Sequence, residues 1–310
     1  MIRRDGALTS LWQDTTSRDK ESLTGNRLST EDRSFEVVIV GGGITGLTTA
    51  VILQEAGFNC AILEANTLCF GTTGGTTAHL NTVLDTPYTT IIKNFNKETA
   101  QTIAQAAKAA ISHIRSNIDR YNIQCGFEPA TAYMFSQTQD QTKELHDIYE
   151  ASKGLGIHIE YTHKLPVNIS MDRAVAIHDQ AKFHPTRYVM GLAEAFQASG
   201  GRIVEYCPVT GAENNDPITV HTERGDITCT YLIYATHIPP GKNILDTRVA
   251  PYRTYAMAVT LRTPYPQGLI YDMYDPYHYY RTQTIDGQTY FIAGGEDHKT
   301  GHEENPQSRF

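Results

Sequence analysis

The chain has 310 residues, which is long enough to bury the core of one large or two medium-sized domains. Its 40% hydrophobic and 19% charged residues are close to the globular average and argue against a disordered or fibrous chain. The net charge of −8 argues against nucleic-acid binding, which requires a basic face for the phosphate backbone.

Five cysteines are scattered along the sequence and lack the CxxC spacing of a metal site or a disulfide framework. They are Cys60, Cys69, Cys125, Cys207 and Cys229. We expect reduced, buried thiols and no metal ion. No apolar stretch follows Arg3-Arg4 to complete an export signal, and no run reaches the ~18 apolar residues of a membrane span. These features predict a cytoplasmic protein without a membrane span.

The first predicted unit is a strand, a helix and a second strand. Residues 1–34 are polar without a period, and they predict a loosely attached arm. The β-branched run at 35–40 predicts a strand that is buried on both faces of a parallel sheet. A helix over 44–56 and a strand over 59–63 complete a β-α-β unit of about 30 residues.

Further elements follow in a mixed order. The pattern predicts two consecutive helices over 86–121, a strand over 130–136, a helix over 141–154, a strand over 157–161, a helix over 185–199, a strand over 202–206, a hairpin from strands at 218–221 and 226–230, and a buried strand over 231–235. After Pro251, alternation predicts antiparallel strands at 254–261, 279–283 and 289–293, with a hairpin turn at Asp286-Gly287.

The predicted architecture has two domains of different class. A nucleotide-binding α/β domain with a parallel sheet is expected over 35–124 and 178–252. An α+β domain with an antiparallel sheet is expected over 125–177 and 253–310. The sequence has no internal repeat that would indicate a solenoid.

The segment after the first strand fits the dinucleotide-binding pattern GxGxxG. Gly41 makes the tight turn, Gly43 allows a pyrophosphate to approach the backbone, and Gly46 allows helix and strand to pack closely. The helix N-terminus behind them offers N–H groups and a positive dipole end to the phosphates. A glycine loop inside a core is the structural alternative. The predicted contacts are Gly41, Gly43, Ile44, Thr45, Gly46, Glu64 and Ala65.

Glu64 stands at the end of the second strand, 18 residues after Gly46. An acid about 20 residues from the glycines accepts hydrogen bonds from the adenosine ribose, and its charge repels the 2′-phosphate of NADP. The alternative is a surface acid at a strand end. The next glycine- and hydroxyl-rich segment, 71–79, predicts a second phosphate and flavin cradle. Its predicted cofactor contacts are Thr72, Thr73, Thr77, Ala78 and His79.

Over about residues 35–301 the sequence resembles the D-amino-acid-oxidase-like superfamily of FAD-dependent oxidoreductases, which includes glycine oxidase, sarcosine oxidase and glycerol-3-phosphate dehydrogenase. The stretches that carry the resemblance are VVIVGGGITG with Glu64, GTTGGTTAH at 71–79, Phe183-His184-Pro185, Cys207-Pro208-Val209-Thr210 and Tyr234-Ala235-Thr236-His237. The resemblance implies FAD as the cofactor, a contact from the backbone of Val209 to the adenine, and Ala235 and Thr236 against the nucleotide. Among these proteins the sequence is most similar to bacterial members whose flavin part is followed by a Rieske iron–sulfur domain.

Two features of the family have no counterpart in this sequence. Its members close the flavin site with a late strand, glycine turn and helix, and no such segment follows Gly301; Rieske ligands are absent as well. We therefore expect a truncated chain, with O₂ or a Rieske [2Fe–2S] domain or protein as the electron acceptor.

A tyrosine-rich segment at 271–281 predicts part of the substrate site. It has five tyrosines within ten residues, and the resemblance places the family's active-site tyrosines here. The predicted catalytic residues are Tyr279, Tyr280 and Arg281. An amphipathic strand is the alternative. Arg253 is a further candidate for binding a substrate carboxylate, with a surface ion pair as the alternative. His298 and His302 are interpreted as part of a polar loop, because the metal-binding pattern HExxH is not matched.

These patterns predict a FAD-dependent oxidoreductase. It would transfer a hydride from a small amine, amino acid or hydroxy compound to N5 of the flavin. The alternatives are a flavin-binding electron-relay subunit and an NADH-linked flavin reductase, although the latter needs a second GxGxxG that the sequence lacks.

Overall fold

The computed structural model describes residues 9–16, 33–238, 250–303, 305 and 308. The chain forms two compact units. Unit 1 takes in Met1–Thr76, Asn117–Cys125 and Pro185–Val249, and unit 2 takes in Thr77–Ser116, Gly126–His184 and Ala250–Phe310.

Unit 1 contains a six-stranded sheet in the order β7-β2-β1-β10-β9-β8. Its strands are β1 (Ser34–Val40), β2 (Cys60–Leu63), β7 (Arg202–Val204), β8 (Val209–Glu213), β9 (Ile218–Thr222) and β10 (Ile227–Tyr234). The first four strands in this order, β7, β2, β1 and β10, are parallel to one another. Strands β9 and β8 extend the sheet through antiparallel pairs. This confirms the predicted parallel sheet.

The helices of unit 1 are α1 (Leu11–Asp14), α2 (Ile44–Glu55), α3 (Thr72–Gly75) and α7 (Pro185–Ala198). The long helices α2 and α7 pack against each other. One core of this unit consists of side chains from the parallel strands, including Val38, Val40, Ala61 and Leu63. Because β1 and β2 are buried along almost their whole length, their sequences are continuous apolar runs rather than alternating ones.

The carboxyl ends of three parallel strands lie side by side in unit 1. Val40 pairs with Leu63 on one side and with Tyr234 on the other. The residues that follow these three ends therefore share one edge of the sheet, which is where ligands bind in open α/β sheets.

Part of the predicted N-terminal arm is anchored rather than loosely attached. The indole of Trp12 in α1 is buried, and its Nε1 donates to the carbonyl oxygen of Thr76 at 2.5 Å. Ser10 caps the helix by accepting from the N–H of Gln13. One buried side chain on a four-residue helix gives no periodic signal, so the sequence did not reveal this contact. Residues 1–8 and 17–32 of the predicted arm lie outside the described residues.

Unit 2 contains an eight-stranded sheet in the order β11-β14-β13-β12-β4-β6-β3, with β5 also paired to β6. Its strands are β3 (His79–Leu80), β4 (Glu128–Ser136), β5 (Ile159–Thr162), β6 (Arg173–Lys182), β11 (Tyr252–Val259), β12 (Leu269–Tyr271), β13 (Tyr279–Ile285) and β14 (Gln288–Lys299). All pairs are antiparallel except β12 with β4. This confirms the predicted antiparallel sheet.

The remaining helices are α4 (Tyr88–Asn94), α5 (Lys97–Tyr121) and α6 (Gln139–Gly154). Two consecutive helices were predicted over the region of α4 and α5, and this prediction is confirmed. Leu145 and Ile148 of α6 pack in one core cluster with Val175 and Ile177 of β6. The other face of the sheet buries a smaller cluster that contains Phe135.

The predicted hairpin turn between β13 and β14 is confirmed. Asp286 and Gly287 have φ values of 50° and 82°, which a two-residue hairpin of type I′ requires. Two predicted strands over 226–235 form the single strand β10. Strands β6, β8 and β12 were not predicted, because their apolar residues are too few or too irregular for a clear period.

Candidate functional site

Two glycines in the turn of unit 1 have no space for a side chain. Gly41 has a φ of 115°, and a Cβ there would lie 2.6 Å from the carbonyl oxygen of Ala235. A Cβ on Gly46 would lie 1.9 Å from the carbonyl oxygen of Gly41. Close approach of backbone to backbone therefore explains two of the three glycines in the motif.

The N-terminus of α2 lies directly behind this turn. Its N-cap residue, Gly43, provides no side-chain cap, and Thr45 in the first turn is exposed. The N–H of Ile44 donates to Oγ1 of Thr73 at 3.1 Å, so the predicted second cradle reaches the glycine turn through Thr73. The N-terminus of a helix is a favourable position for a pyrophosphate because its first N–H groups have no acceptor within the helix.

Glu64 is tied to the same turn. Its Oε2 accepts from the N–H of Gly42 at 2.7 Å, and its Oε1 accepts from the N–H of Asn66 at 2.8 Å. A carboxylate oxygen accepts more than one hydrogen bond, so both oxygens keep capacity for ribose hydroxyls. Ala65, which follows it, is exposed.

Two of the other predicted nucleotide contacts follow β10 at the same edge of the sheet. The N–H of Ala235 donates to the carbonyl oxygen of Val40 at 2.8 Å, and Oγ1 of Thr236 donates to the carbonyl oxygen of Ile238 at 2.7 Å. The N–H of Cys207 donates to the carbonyl oxygen of Glu64 at 2.8 Å, two residues before Val209. Thr72 in α3 is exposed, and Val209 opens β8. The structure thus places Ala235 and Thr236 at the end of β10 and Cys207 beside Glu64, and contacts of these residues with a nucleotide stay a prediction.

In unit 2, the side chain of Arg281 is hydrogen-bonded to the backbone of the segment Thr77–His79. Its guanidinium is fully buried and donates to the carbonyl oxygens of Thr77 at 2.9 Å and of Ala78 at 2.6 Å. It also donates to Phe183 and Gln283. Burial lowers the pKa of Arg281 to about 9, so the group stays protonated at neutral pH. Arg281, which was predicted to be catalytic, therefore supports the backbone of the predicted second cradle.

A second buried cation lies close by. Nζ of Lys182 donates to the carbonyl oxygen of Thr282 at 2.9 Å and pairs with the carboxylate of Glu128 at 3.0 Å. Burial lowers the pKa of Lys182, although the hydrogen bond and charge of Glu128 oppose this.

His79 has one imidazole nitrogen bonded and one without a partner. Nδ1 forms a hydrogen bond with the hydroxyl of Tyr271, which also accepts from Nδ2 of Asn81 at 2.7 Å. Nε2 is buried and has no partner among the described residues. Burial, followed by the charges of Arg281 and Lys182, lowers the pKa of His79 well below its usual range. A neutral imidazole with an unsatisfied buried nitrogen fits a site for a bound polar group.

Tyr279 and Tyr280 point to opposite faces of β13, because successive residues of a strand alternate. Tyr279 is buried, its ring lies edge-on to that of His79 at 5.8 Å, and its hydroxyl lies 3.0 Å from Oγ1 of Thr254. Tyr280 stacks on Phe291 at 5.9 Å and packs against the cluster on the other face. Of the two tyrosines, only Tyr279 lies beside the predicted flavin segment.

The remaining candidates form no site. Arg253 is exposed on β11, and the ring of His298 stacks on Tyr255 at 5.5 Å. Among the described residues, no group of three or more His, Cys, Asp or Glu is arranged to hold a metal ion. The five cysteines are buried thiols. No helix in the described part of the chain is long and apolar enough to cross a membrane.

Unit 2 also contains a pocket that the sequence did not reveal. It has a volume of about 80 Å³, and its polar lining residues are Asn81, Asp85, Gln180, Tyr271, Asp272 and Tyr277. The tyrosine-rich segment was recognisable from sequence. The contributions of Asn81, Asp85 and Gln180 were not, because they depend on how strands far apart in sequence pair.

Comparison with known proteins identifies the family. A family model described as FAD dependent oxidoreductase (DAO) matches residues 36–309. The chain belongs to this family. Membership in the DAO family confirms the predicted family and its cofactor, FAD, and the glycine turn and the unsatisfied imidazole described above fit such a group.

Two curated proteins are similar to this chain. The putative Rieske 2Fe-2S iron-sulfur protein YhfW of Bacillus subtilis is 31% identical over 274 residues, which are 87% of this chain and 54% of that protein. The gamma-glutamylputrescine oxidoreductase of Escherichia coli is 28% identical over 226 residues, 71% of this chain and 52% of that protein. The chain spans about half the length of the curated relatives it matches.

Solved structures share the DAO fold at low sequence identity. Glycine oxidase from Geobacillus kaustophilus has a TM-score of 0.67 and 15% identity, over 87% of this chain and 73% of that chain. L-proline dehydrogenase from P. horikoshii has a TM-score of 0.67 and 17% identity, over 88% of this chain and 72% of that chain. These similarities confirm the fold class.

Proposed function

We propose that the protein oxidises a small amine, amino acid or hydroxy compound, with FAD as the oxidant. The observation that carries the proposal is the glycine turn of unit 1, where a Cβ on Gly41 or Gly46 would clash with backbone oxygens, at the N-terminus of α2 and beside Glu64. Relatives named glycine oxidase, L-proline dehydrogenase and gamma-glutamylputrescine oxidoreductase favour substrates that bear an amino group.

In this proposal the residues of unit 1 bind the ADP half of the cofactor. The N–H groups at the start of α2 receive the pyrophosphate, and the carboxylate of Glu64 accepts from the ribose hydroxyls. Ala235 and Thr236 pack against the nucleotide, and the backbone of Val209 contacts the adenine. When bound, FAD supplies the oxidising group, which takes a hydride at N5 from the substrate carbon.

Residues of unit 2 would prepare the reaction site. Tyr271 accepts one hydrogen bond from Asn81, so its own proton is available to Nδ1 of neutral His79. The remaining proton of His79 is then on Nε2, where it can donate to an acceptor oxygen or nitrogen of a bound group. Burial raises the pKa of Tyr279, which keeps its hydroxyl protonated as a hydrogen-bond donor at neutral pH. Arg281 would act as a positioning residue, because it holds the backbone of Thr77 and Ala78.

The electron acceptor of the whole protein is a separate part of the proposal. One relative is named as a putative Rieske iron–sulfur protein, and this chain matches about half of it. We infer that electrons pass to a Rieske [2Fe–2S] cluster in the same or a partner polypeptide, with O₂ as the other acceptor to be tested. The buried, reduced cysteine thiols are consistent with a cytoplasmic location, which we also propose.

Anaerobic reduction tests the proposed function. The FAD-loaded protein is mixed with a panel of primary amines, amino acids and hydroxy acids, and the visible absorbance of the flavin is followed. We expect at least one amine or amino acid to bleach the flavin, and Tyr279→Phe to slow this step without releasing FAD. If no compound bleaches the flavin while dithionite does, the protein is an electron relay rather than an oxidase.

A further inference from the structure

The pocket of unit 2 has an apolar floor and a polar mouth. Ala132, Ile148 and Ile177 line it and are almost fully buried, whereas Leu84 and Asp85 line it and are exposed. One water needs about 10–15 Å³ of such space, so a pocket of about 80 Å³ has room for several waters or a short alkyl chain. Its shape therefore suits a ligand with an apolar stem and a polar end.

The hydrogen-bond donors around this pocket are directed at protein atoms. The hydroxyl of Tyr277 donates to Oδ1 of Asp85 at 2.9 Å, and Nδ2 of Asn81 donates to Tyr271 at 2.7 Å. Nε2 of Gln180 donates to Oγ1 of Thr82 at 2.9 Å. A ligand that needs donors, such as a carboxylate, is poorly served by this lining.

Acceptors, by contrast, remain available. Oδ1 of Asn81 is buried and has no partner among the described residues. The exposed carboxylate of Asp85 accepts one hydrogen bond from Tyr277 and keeps further lone pairs. An unsatisfied buried acceptor and a carboxylate at the same pocket together favour a ligand that brings donors and positive charge.

A second carboxylate at the pocket already has hydrogen-bond partners. Asp272 is buried, its Oδ2 lies 2.7 Å from Nδ1 of His278, and its Oδ1 accepts from the N–H of the same residue at 2.8 Å. The other ring nitrogen of His278 lies 3.3 Å from Oε1 of Glu296. Because both oxygens of Asp272 are engaged by His278, the carboxylate with lone pairs open to a ligand is that of Asp85.

We propose that this pocket binds the protonated amino group of a primary alkylamine, with the methylene chain on the apolar floor and the ammonium between Asn81 and Asp85. That this amine is part of the substrate rests on the proposed function. Binding of an alkylammonium ion by the pocket does not rest on it. The inference narrows the substrate class from amines and amino acids in general to compounds with a positively charged alkylamine end.

A matched series of four-carbon probes tests the inference. Butan-1-ammonium, butan-1-ol and butyrate are titrated into the FAD-loaded chain, and dissociation constants are taken from NMR shift changes at neutral pH and low salt. The ammonium is expected to bind most tightly. Asp85→Asn keeps an acceptor for Tyr277 but removes the charge, and it should weaken ammonium binding at least about tenfold, the equivalent of about 1.4 kcal/mol. Ala132→Leu, which fills the floor, should abolish binding of the ammonium and the alcohol.

Asp140→Asn is the control for Asp85→Asn. Asp140 is an exposed carboxylate of unit 2 that does not line the pocket, so its substitution should leave the affinities unchanged. Equal affinity for butyrate and the ammonium, or equal effects of Asp85→Asn and Asp140→Asn, would overturn the inference. The titrations are repeated without FAD. A chain that takes up no flavin would contradict the proposed function, and its pocket would still be tested by the probes.

Discussion

Glu64 and Gly42 are joined by a hydrogen bond of 2.7 Å between the carboxylate Oε2 and the backbone N–H. The acid that we expect to bind the ribose therefore also fixes the turn that we expect to bind the pyrophosphate. Two parts of the predicted nucleotide site, 22 residues apart in sequence, are coupled through one side chain.

Replacing Glu64 should therefore weaken FAD binding. Glu64→Gln keeps the size of the side chain but removes the charge that strengthens its hydrogen bonds to N–H groups and hydroxyls. We expect FAD to bind at least about tenfold more weakly, the equivalent of about 1.4 kcal/mol. Glu36→Gln is the control, because Glu36 also accepts from a backbone N–H, that of Asn59 at 2.8 Å, but from an exposed position. Equal FAD affinities of the two variants would refute the role of Glu64.

The glycine turn makes a prediction about stability. Gly41→Ala should cost about 3 kcal/mol or more, because it adds a clash with Ala235 to the strain of a positive φ. Gly57 also has a positive φ, of 95°, but no atom lies within 4 Å of a Cβ there. Gly57→Ala should therefore cost only the strain, about 1–2 kcal/mol. Urea unfolding of both variants separates the cost of the clash from the cost of the backbone strain. Similar losses of stability in the two variants would contradict the close approach at Gly41.

The sequence predicted the nucleotide half of the molecule better than the substrate half. The turn at 41–46, the helix behind it and Glu64 form a local unit, so spacing alone identified them. His79 was predicted as a cofactor contact from the local segment 71–79, but its bond to Tyr271 joins residues 192 positions apart. Long-range pairing of strands determines such contacts, and no local pattern encodes it.

Arg281 shows the same limit. The resemblance to the oxidase family made Arg281 a candidate for the substrate side of the flavin. The structure instead satisfies its guanidinium with carbonyl oxygens of Thr77, Ala78 and Phe183. Those carbonyls lie far from Arg281 in sequence, and no local pattern indicated that their segments would lie beside β13.

Arg281 should therefore be required for stability. Arg281→Met leaves several buried carbonyl oxygens without donors, each of which costs about 1–3 kcal/mol, and we expect a total loss of at least about 3 kcal/mol. Arg173→Met is the control, because Arg173 is exposed and contacts the ring of Tyr161. Chemical denaturation of both variants provides the measurement. An Arg281→Met protein as stable as the control would show that the buried network is not formed.

His278 should make stability depend on pH. Burial lowers its pKa, but hydrogen bonds and charges from Asp272 and Glu296 outweigh this and raise the pKa above its usual range. A raised pKa stabilises the folded state fully below the unfolded pKa of about 6.5, and this contribution is lost as pH rises through the folded pKa. The difference in unfolding free energy between the native protein and His278→Gln should therefore shrink from about pH 6 to about pH 9, an interval over which histidine side chains lose their proton. A difference that grows with pH would contradict the assigned partners.

Binding of FAD by the purified chain tests the central claim most directly. Protein saturated with FAD is freed of excess cofactor, denatured, and assayed for released flavin, with Gly41→Ala as the binding-deficient variant and Gly57→Ala as the control. We predict one FAD per chain for the native protein and for Gly57→Ala, and none for Gly41→Ala. A folded native chain that releases no flavin after exposure to excess FAD would contradict the account.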